Sequence, residues 1–267
     1  MVDWHGHIVP FIVTVVIWFI ATGLVAFSVS NGVERDARAR FRRNVAVGGV
    51  AGIAGLVAIL FASATVSVAA VYIAFVGALL VWGWHEIGFL TGAAAGPRRI
   101  ACDPGARGID RFTQASATVI HHEIALALTA LMLISLSWNA PNQIGATVFV
   151  LMFALRLSSK INLFVGVPNT TTEMLPVHLD YLKSYFGRNR MTWLLAFSIA
   201  AILSLAGWFA SLAMTAPAGS PEMVGASLLT ALCLLGALEH LFLALPFRDG
   251  MLWGWAFKRA AKEGGAA

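Results

Sequence analysis

An all-α membrane bundle with seven transmembrane helices is the fold class that this chain predicts, and three observations predict it. Hydrophobic residues make up 59% of the chain and charged residues only 12%, with a mean hydropathy of +0.80, whereas a globular domain carries about 25% charged residues. The apolar residues fall into runs of roughly twenty, the length that crosses about 30 Å of hydrocarbon. The basic residues gather at alternate ends of those runs, as the positive-inside rule requires. Collagen-like, disordered and disulfide-scaffold classes are excluded, because the 25 Gly, 9 Pro and 2 Cys are too few or too irregular. A net charge of +5 implies no nucleic-acid partner when the charges lie at membrane edges. The lipid bilayer is the partner they imply.

The first run, 8–29, reads as a span and not as a secretory signal, since Met1–His7 lacks a positive n-region and the run outlasts an h-region. Runs 44–63 and 66–90 are joined only by Ala64-Thr65, and together they are twice one span, so they form a hairpin. Gly48, Gly49, Gly52 and Gly55 allow a second helix to approach closely, from within the chain or from a partner. Runs 114–137, 142–166, 192–214 and 223–247 complete the set. All 18 Lys and Arg follow spans one, three, five and seven, or sit late in span five. The N-terminus is therefore expected on the periplasmic side and the C-terminus in the cytoplasm. Trp4, Trp82, Trp84, Trp138, Trp193, Trp253 and Trp255 near span ends read as an aromatic belt.

A single membrane domain over 1–267 is expected, because no connection is long enough for a second one. Connection 91–113 is punctuated by Gly92, Gly96-Pro97 and Pro104-Gly105 and reads as irregular. Connection 167–191 carries Leu175, Leu179, Leu182 and Phe186 at α-helical spacing. This predicts an interfacial helix over 173–186, capped by Thr171 or Thr172, with Tyr181 and Tyr185 at headgroup level. Asn169-Thr170-Thr171 reads as a turn, and Cys102 and Cys233 are expected to stay unpaired.

Ionisable groups inside a membrane are costly and mark function. Here they concentrate at one depth: His85-Glu86 ending span three, His121-His122-Glu123 in span four, Arg156, Lys160 and Asn162 in span five, and Glu239-His240 ending span seven. His178 joins them if the interfacial helix is α-helical. Three readings are open. Glu86, His122, Glu123, His178, Glu239 and His240 could hold a di-iron or di-manganese centre, although the Glu-x-x-His signature of such bundles is absent. One His could ligate a tetrapyrrole metal. Or the carboxylates neutralise Arg156 and Lys160, and the layer, with His85, His121 and Asn162, is a buried polar network. Whether the chain is an enzyme is open on these residues alone.

Several words in the chain resemble a known family. They include Val81-Trp82-Gly83-Trp84-His85-Glu86, Phe89-Leu90-Thr91-Gly92, Gly96-Pro97-Arg98-Arg99, His122-Glu123 and Pro141-Asn142-Gln143. Arg156-Leu157-Ser158, Lys160-Ile161-Asn162-Leu163-Phe164, Gly166-Val167-Pro168-Asn169, Ser184-Tyr185-Phe186 and Leu238-Glu239-His240 extend the match. Over about 70–247 the chain resembles the photosynthetic-complex assembly family called PuhE. That resemblance implies a multi-pass protein of a bacterial inner, intracytoplasmic, membrane. Its implied role is assembling the reaction-centre and light-harvesting apparatus, or modulating bacteriochlorophyll supply, with those complexes or pigment-synthesis proteins as partners. It brings no catalytic mechanism, and its words coincide with the polar layer.

The charge pattern makes a topology prediction. Accessibility tags after spans one, three, five and seven should all report the cytoplasm, and a tag at Gly219 should report the opposite side. A Gly219 tag on the cytoplasmic side would overturn the seven-span order.

Overall fold

The computed structural model describes residues 3–30, 37–170, 175–246 and 252–253. Seven helices are long and apolar enough to cross a membrane. They are α1 (Ile8–Ser30), α2 (Ala37–Ser63), α3 (Val68–Leu90), α4 (Gly108–Ser137), α5 (Ile144–Val165), α6 (Trp193–Thr215) and α7 (Pro221–Ala244). No strand occurs among the described residues. Local chemistry sets several of the starts. Ser67, Thr192 and Ser220 each accept the backbone N–H three residues on, and Pro221 occupies the first turn of α7, where its missing N–H is harmless.

Two helices begin earlier than their apolar runs do. α2 starts at Ala37 and not near 44, and α4 at Gly108 and not near 114. Helical hydrogen bonding does not stop at the hydrocarbon edge. Arg and Gln are good helix formers, so each helix takes in polar residues beyond its apolar run.

The expected α-helix over 173–186 is a nine-residue 3-10 segment, Val177–Tyr185. Pro176 lacks an N–H and pushes Leu175 out of the α region, so no α-helix runs through that point. Thr171 and Thr172 lie outside the described residues. A 3-10 helix repeats every three residues, and Leu179, Leu182 and Tyr185 are accordingly the buried ones.

The bundle is organised as two hairpins around the last helix. α2 packs chiefly on α3 and α6 on α7, while α7 also meets α1, α3 and α5 and is the most enclosed span. Phe75, Leu126, Leu133, Phe149 and Leu228 fill the shared core. The glycines of α2 serve this internal packing. Trp84 lies over Gly52, and Gly55 meets Gly77 so closely that a Cβ on Gly55 would stand 2.5 Å from the Gly77 carbonyl oxygen. Trp82 and Trp84 therefore face helices and not a belt: Trp82 makes an edge contact with Phe149. Trp4, Trp138 and Trp193 are exposed at helix ends as a belt requires. Trp255 lies outside the described residues.

Replacing Gly55 tests this packing. Gly55→Leu forces α2 away from α3, and overpacking of this kind costs about 1–3 kcal/mol. Its melting temperature in detergent should fall clearly below wild type. Gly207→Ala, where a Cβ meets nothing within 4 Å, should leave it unchanged. Equal melting of Gly55→Leu and wild type would refute the close α2–α3 approach.

Candidate functional site

Arg156 and Lys160 are four residues apart on α5 and so share one of its faces. Counting from the end of α5 at about 1.5 Å per residue, Arg156 lies about 14 Å and Lys160 about 7.5 Å inside. Each meets a carboxylate from a different helix. Lys160 Nζ donates to Glu123 Oε1 of α4, and Arg156 Nε lies 3.6 Å from Glu86 Oε1 of α3. Glu239 of α7 and Glu123 also act electrostatically on Arg156. The two pairs are not equally enclosed. The Lys160 and Glu123 side chains retain 19% and 16% of their surface, whereas Arg156 retains 41% against 12% for Glu86. Lys160 is hydrogen-bonded to Glu123, whereas Arg156 and Glu86 face each other across 3.6 Å with no hydrogen bond between them among the described residues, so the Lys160–Glu123 pair is the closer tie.

The adjacent pairs read from the sequence part company. His85 turns from α3 to Thr129 of α4, with Nε2 3.0 Å from the hydroxyl, while Glu86 faces Arg156. On α7, Glu239 accepts a hydrogen bond from the Trp18 indole of α1 at 3.0 Å. His240 turns to α5. Its Nδ1 lies 2.8 Å from the Gly236 carbonyl oxygen, which only accepts, so Nδ1 carries the proton and Nε2 accepts from the Ser158 hydroxyl at 2.9 Å. Asn162 donates to the Ser158 carbonyl oxygen at 3.0 Å and to the Ser198 hydroxyl at 2.9 Å, tying α5 to α6. His122 is fully buried, its ring centroid 4.7 Å from that of Phe89 and 6.4 Å from that of His85. Both of its nitrogens lack a hydrogen-bond partner among the described residues, as does Glu123 Oε2.

Two expected members lie elsewhere. His178 is exposed on the 3-10 segment, because a period of three turns Leu179, Leu182 and Tyr185 inward and leaves His178 outside. Its ring sits instead against Gly92. His121 is exposed on α4, with Nδ1 2.9 Å from the Ala95 carbonyl oxygen.

A two-metal centre needs carboxylates and imidazoles with lone pairs free toward one point. Here Glu86 and Glu123 are engaged by cations, and both nitrogens of His240 are engaged by protein groups. No three His, Cys, Asp or Glu side chains among the described residues converge as ligands. Axial ligation of a tetrapyrrole needs open space beside a free imidazole nitrogen; His122 has free nitrogens but is enclosed. The donors inside the layer converge on neither group.

The basic end of the bundle forms a folded plate over this layer. Phe89, Leu179 and Leu182 pack together above His122. Connection 91–107 is pinned to α4 by Gly96 N–H to the Thr118 carbonyl oxygen at 2.8 Å and Arg98 N–H to that of Ala117 at 3.2 Å. Gly96 is required there, since a Cβ would collide with the Ala117 carbonyl oxygen. Arg111 donates to the carbonyl oxygens of Phe164 and Tyr185 and stacks 4.2 Å over the Phe164 ring. The Tyr185 hydroxyl, ahead of the opposing effect of burial and the help of Asp103, holds the Arg98 guanidinium above its ordinary pKa. Burial pushes the Tyr181 hydroxyl up, against the pull of Arg99, so it stays a neutral donor. Asn169 caps α7, donating to the carbonyl oxygens of Phe242 and Leu245. Sequence reasoning missed Trp18, Thr129, Ser158 and Phe89 as parts of the layer. Trp18 did leave a signal, being a tryptophan in mid-span where no aromatic belt places one.

Residues 5–264 match the family described as a protein of unknown function, DUF3623. The chain belongs to this family. The matched stretch contains every residue of the polar layer. A relative from Rhodobacter capsulatus, named as an uncharacterized 30.4 kDa protein in the puhA 5′ region, is 35% identical over 242 residues, which cover 91% of this chain and 88% of the relative. No solved structure matches the chain.

The two ion pairs predict unequal variants. Lys160→Met strands Glu123, and breaking a buried pair costs about 3–5 kcal/mol. Arg156→Leu should cost less, because Arg156 and Glu86 stand 3.6 Å apart without a hydrogen bond. Arg42→Leu, on an exposed part of α2, should cost almost nothing. Replacing both partners, as Lys160→Met with Glu123→Gln, should recover most of the loss. Melting temperatures in detergent test the order, and equal values for Lys160→Met and Arg42→Leu would show that Lys160 reaches water.

Proposed function

We propose that this chain is an assembly factor, of the PuhE kind, for the bacterial photosynthetic reaction-centre and light-harvesting apparatus. It acts in the inner, intracytoplasmic, membrane, as a single membrane domain with its basic end toward the cytoplasm. One observation carries the reading: a relative covering nearly the whole chain is placed by its name in the puhA 5′ region of Rhodobacter capsulatus. The geometry supports an assembly role over a metalloenzyme, because Glu86 and Glu123 face cations and Glu239 accepts from the Trp18 indole, contacts that bind helices to one another. On this reading the polar layer is a framework. It holds α3, α4, α5 and α7 in register, so that their outer faces meet partner helices or pigment in a fixed arrangement.

Deleting the gene in a phototrophic host tests it. Near-infrared absorption of the pigment-protein complexes should fall, and should return with wild type or Arg42→Leu but not with Lys160→Met. Unchanged spectra in the deletion strain would overturn the assembly reading. Stoichiometric iron or manganese in protein purified without chelator would replace it with the metal-centre reading.

A further inference from the structure

The basic end holds a shallow, open pocket that the polar layer does not use. It has a volume of about 520 Å³ and is lined in part by Arg98, Arg99, Ile100, Thr113 and Gln114. Its level relative to the membrane follows from the length of α4. Thirty residues rise about 45 Å, some 15 Å more than the hydrocarbon needs. The far end of α4 is followed at once by the exposed belt residue Trp138, so the excess projects at the basic end. The pocket therefore lies at headgroup level.

Its charges are unbalanced and held in place. Asp103 is consumed: Oδ1 pairs with Arg98 Nη2 at 2.7 Å, and Oδ2 accepts from Gln114 at 2.9 Å. Arg98 Nε donates to the Tyr185 hydroxyl at 2.7 Å, which fixes the guanidinium before any ligand arrives. Arg99 forms no ion pair among the described residues, and only its Nη2 is engaged, by the Gly92 carbonyl oxygen at 3.1 Å. Nη1 of Arg98 and Nε and Nη1 of Arg99 thus remain as donors for an acceptor-rich anion. Pro97 and Ala117 also line it, and Ile100 is exposed, an apolar element that suits the start of acyl chains and is wasteful for a soluble ion.

We propose that this pocket binds the phosphodiester headgroup of an anionic membrane lipid, with Arg99 as the principal contact and Arg98 as a fixed second donor. The site is separate from the assembly reading and does not rest on it. Bound there, the lipid fastens connection 91–107 and the start of α4 to the membrane surface.

Native mass spectrometry of the full chain, released from nanodiscs containing phosphatidylcholine and phosphatidylglycerol, tests the proposal. Wild type should retain one phosphatidylglycerol in preference to phosphatidylcholine. Arg99→Gln should lower that retention about fivefold, the usual effect of one basic residue at a lipid surface. Arg107→Gln, exposed and outside the pocket, should not change it. Equal retention of the two lipids by wild type would overturn the proposal, and that comparison decides even if Arg99→Gln fails to accumulate. Unchanged retention by a folded Arg99→Gln would also overturn it. So would displacement of the lipid by millimolar inorganic phosphate, which would mark a soluble-anion site.

Discussion

Two cations on one face of α5, buried at bilayer depth, constrain everything around them. An unpaired charge in that environment is far more costly than a lost surface contact, so α5 cannot pack until carboxylates reach Arg156 and Lys160. Those carboxylates come from different helices, Glu86 on α3 and Glu123 on α4. The requirement of local neutrality thus becomes a requirement on tertiary arrangement: α3 and α4 must flank α5, with their polar turns at matching depth.

The histidines extend the same constraint without adding charge. His240 is fixed as a neutral tautomer between Gly236 and Ser158, joining α7 to α5, and His85 joins α3 to α4 through Thr129. Specific hydrogen bonds matter in a bilayer because apolar burial alone gives helices little reason to choose one neighbour over another. Packing then supplies the close contacts, with Gly55 against Gly77 and Trp84 over Gly52. The plate of connection 91–107 and the 3-10 segment closes the layer at the basic end, with Phe89 and Leu179 between the ion pairs and the surface.

This organisation bears on function. Ion pairs and hydrogen bonds that join different helices hold the layer in one shape. His122 is buried with both nitrogens unpartnered, and Glu123 Oε2 and Asn162 Oδ1 also lack a hydrogen-bond partner among the described residues. The enclosure of His122 between Phe89 and His85 makes it a part of the packed interior and not an open ligand site. Among the described residues, the outer faces of the spans and the arginine-bearing pocket at the basic end are exposed.

The span number and the depth of the polar layer were legible in the sequence, because both follow from one-dimensional quantities. Hydrocarbon thickness sets how many apolar residues make a span, and helical rise converts position along the chain into depth, so Glu86, Glu123, Arg156, Lys160 and Glu239 could be placed at one level. Partner choice was not legible. Adjacent residues on a helix point about 100° apart, so His85 and Glu86, or Glu239 and His240, diverge toward different neighbours, and only the packed bundle decides which. The 3-10 segment was misread for a related reason: the leucine spacing fits an α-helix, but Pro176 and the burial of Leu179, Leu182 and Tyr185 against the plate select a period of three, which turns His178 away. Sequence alone determined which residues must avoid lipid; the tertiary structure decided what each of them meets, because that depends on the rotation of each helix about its own axis.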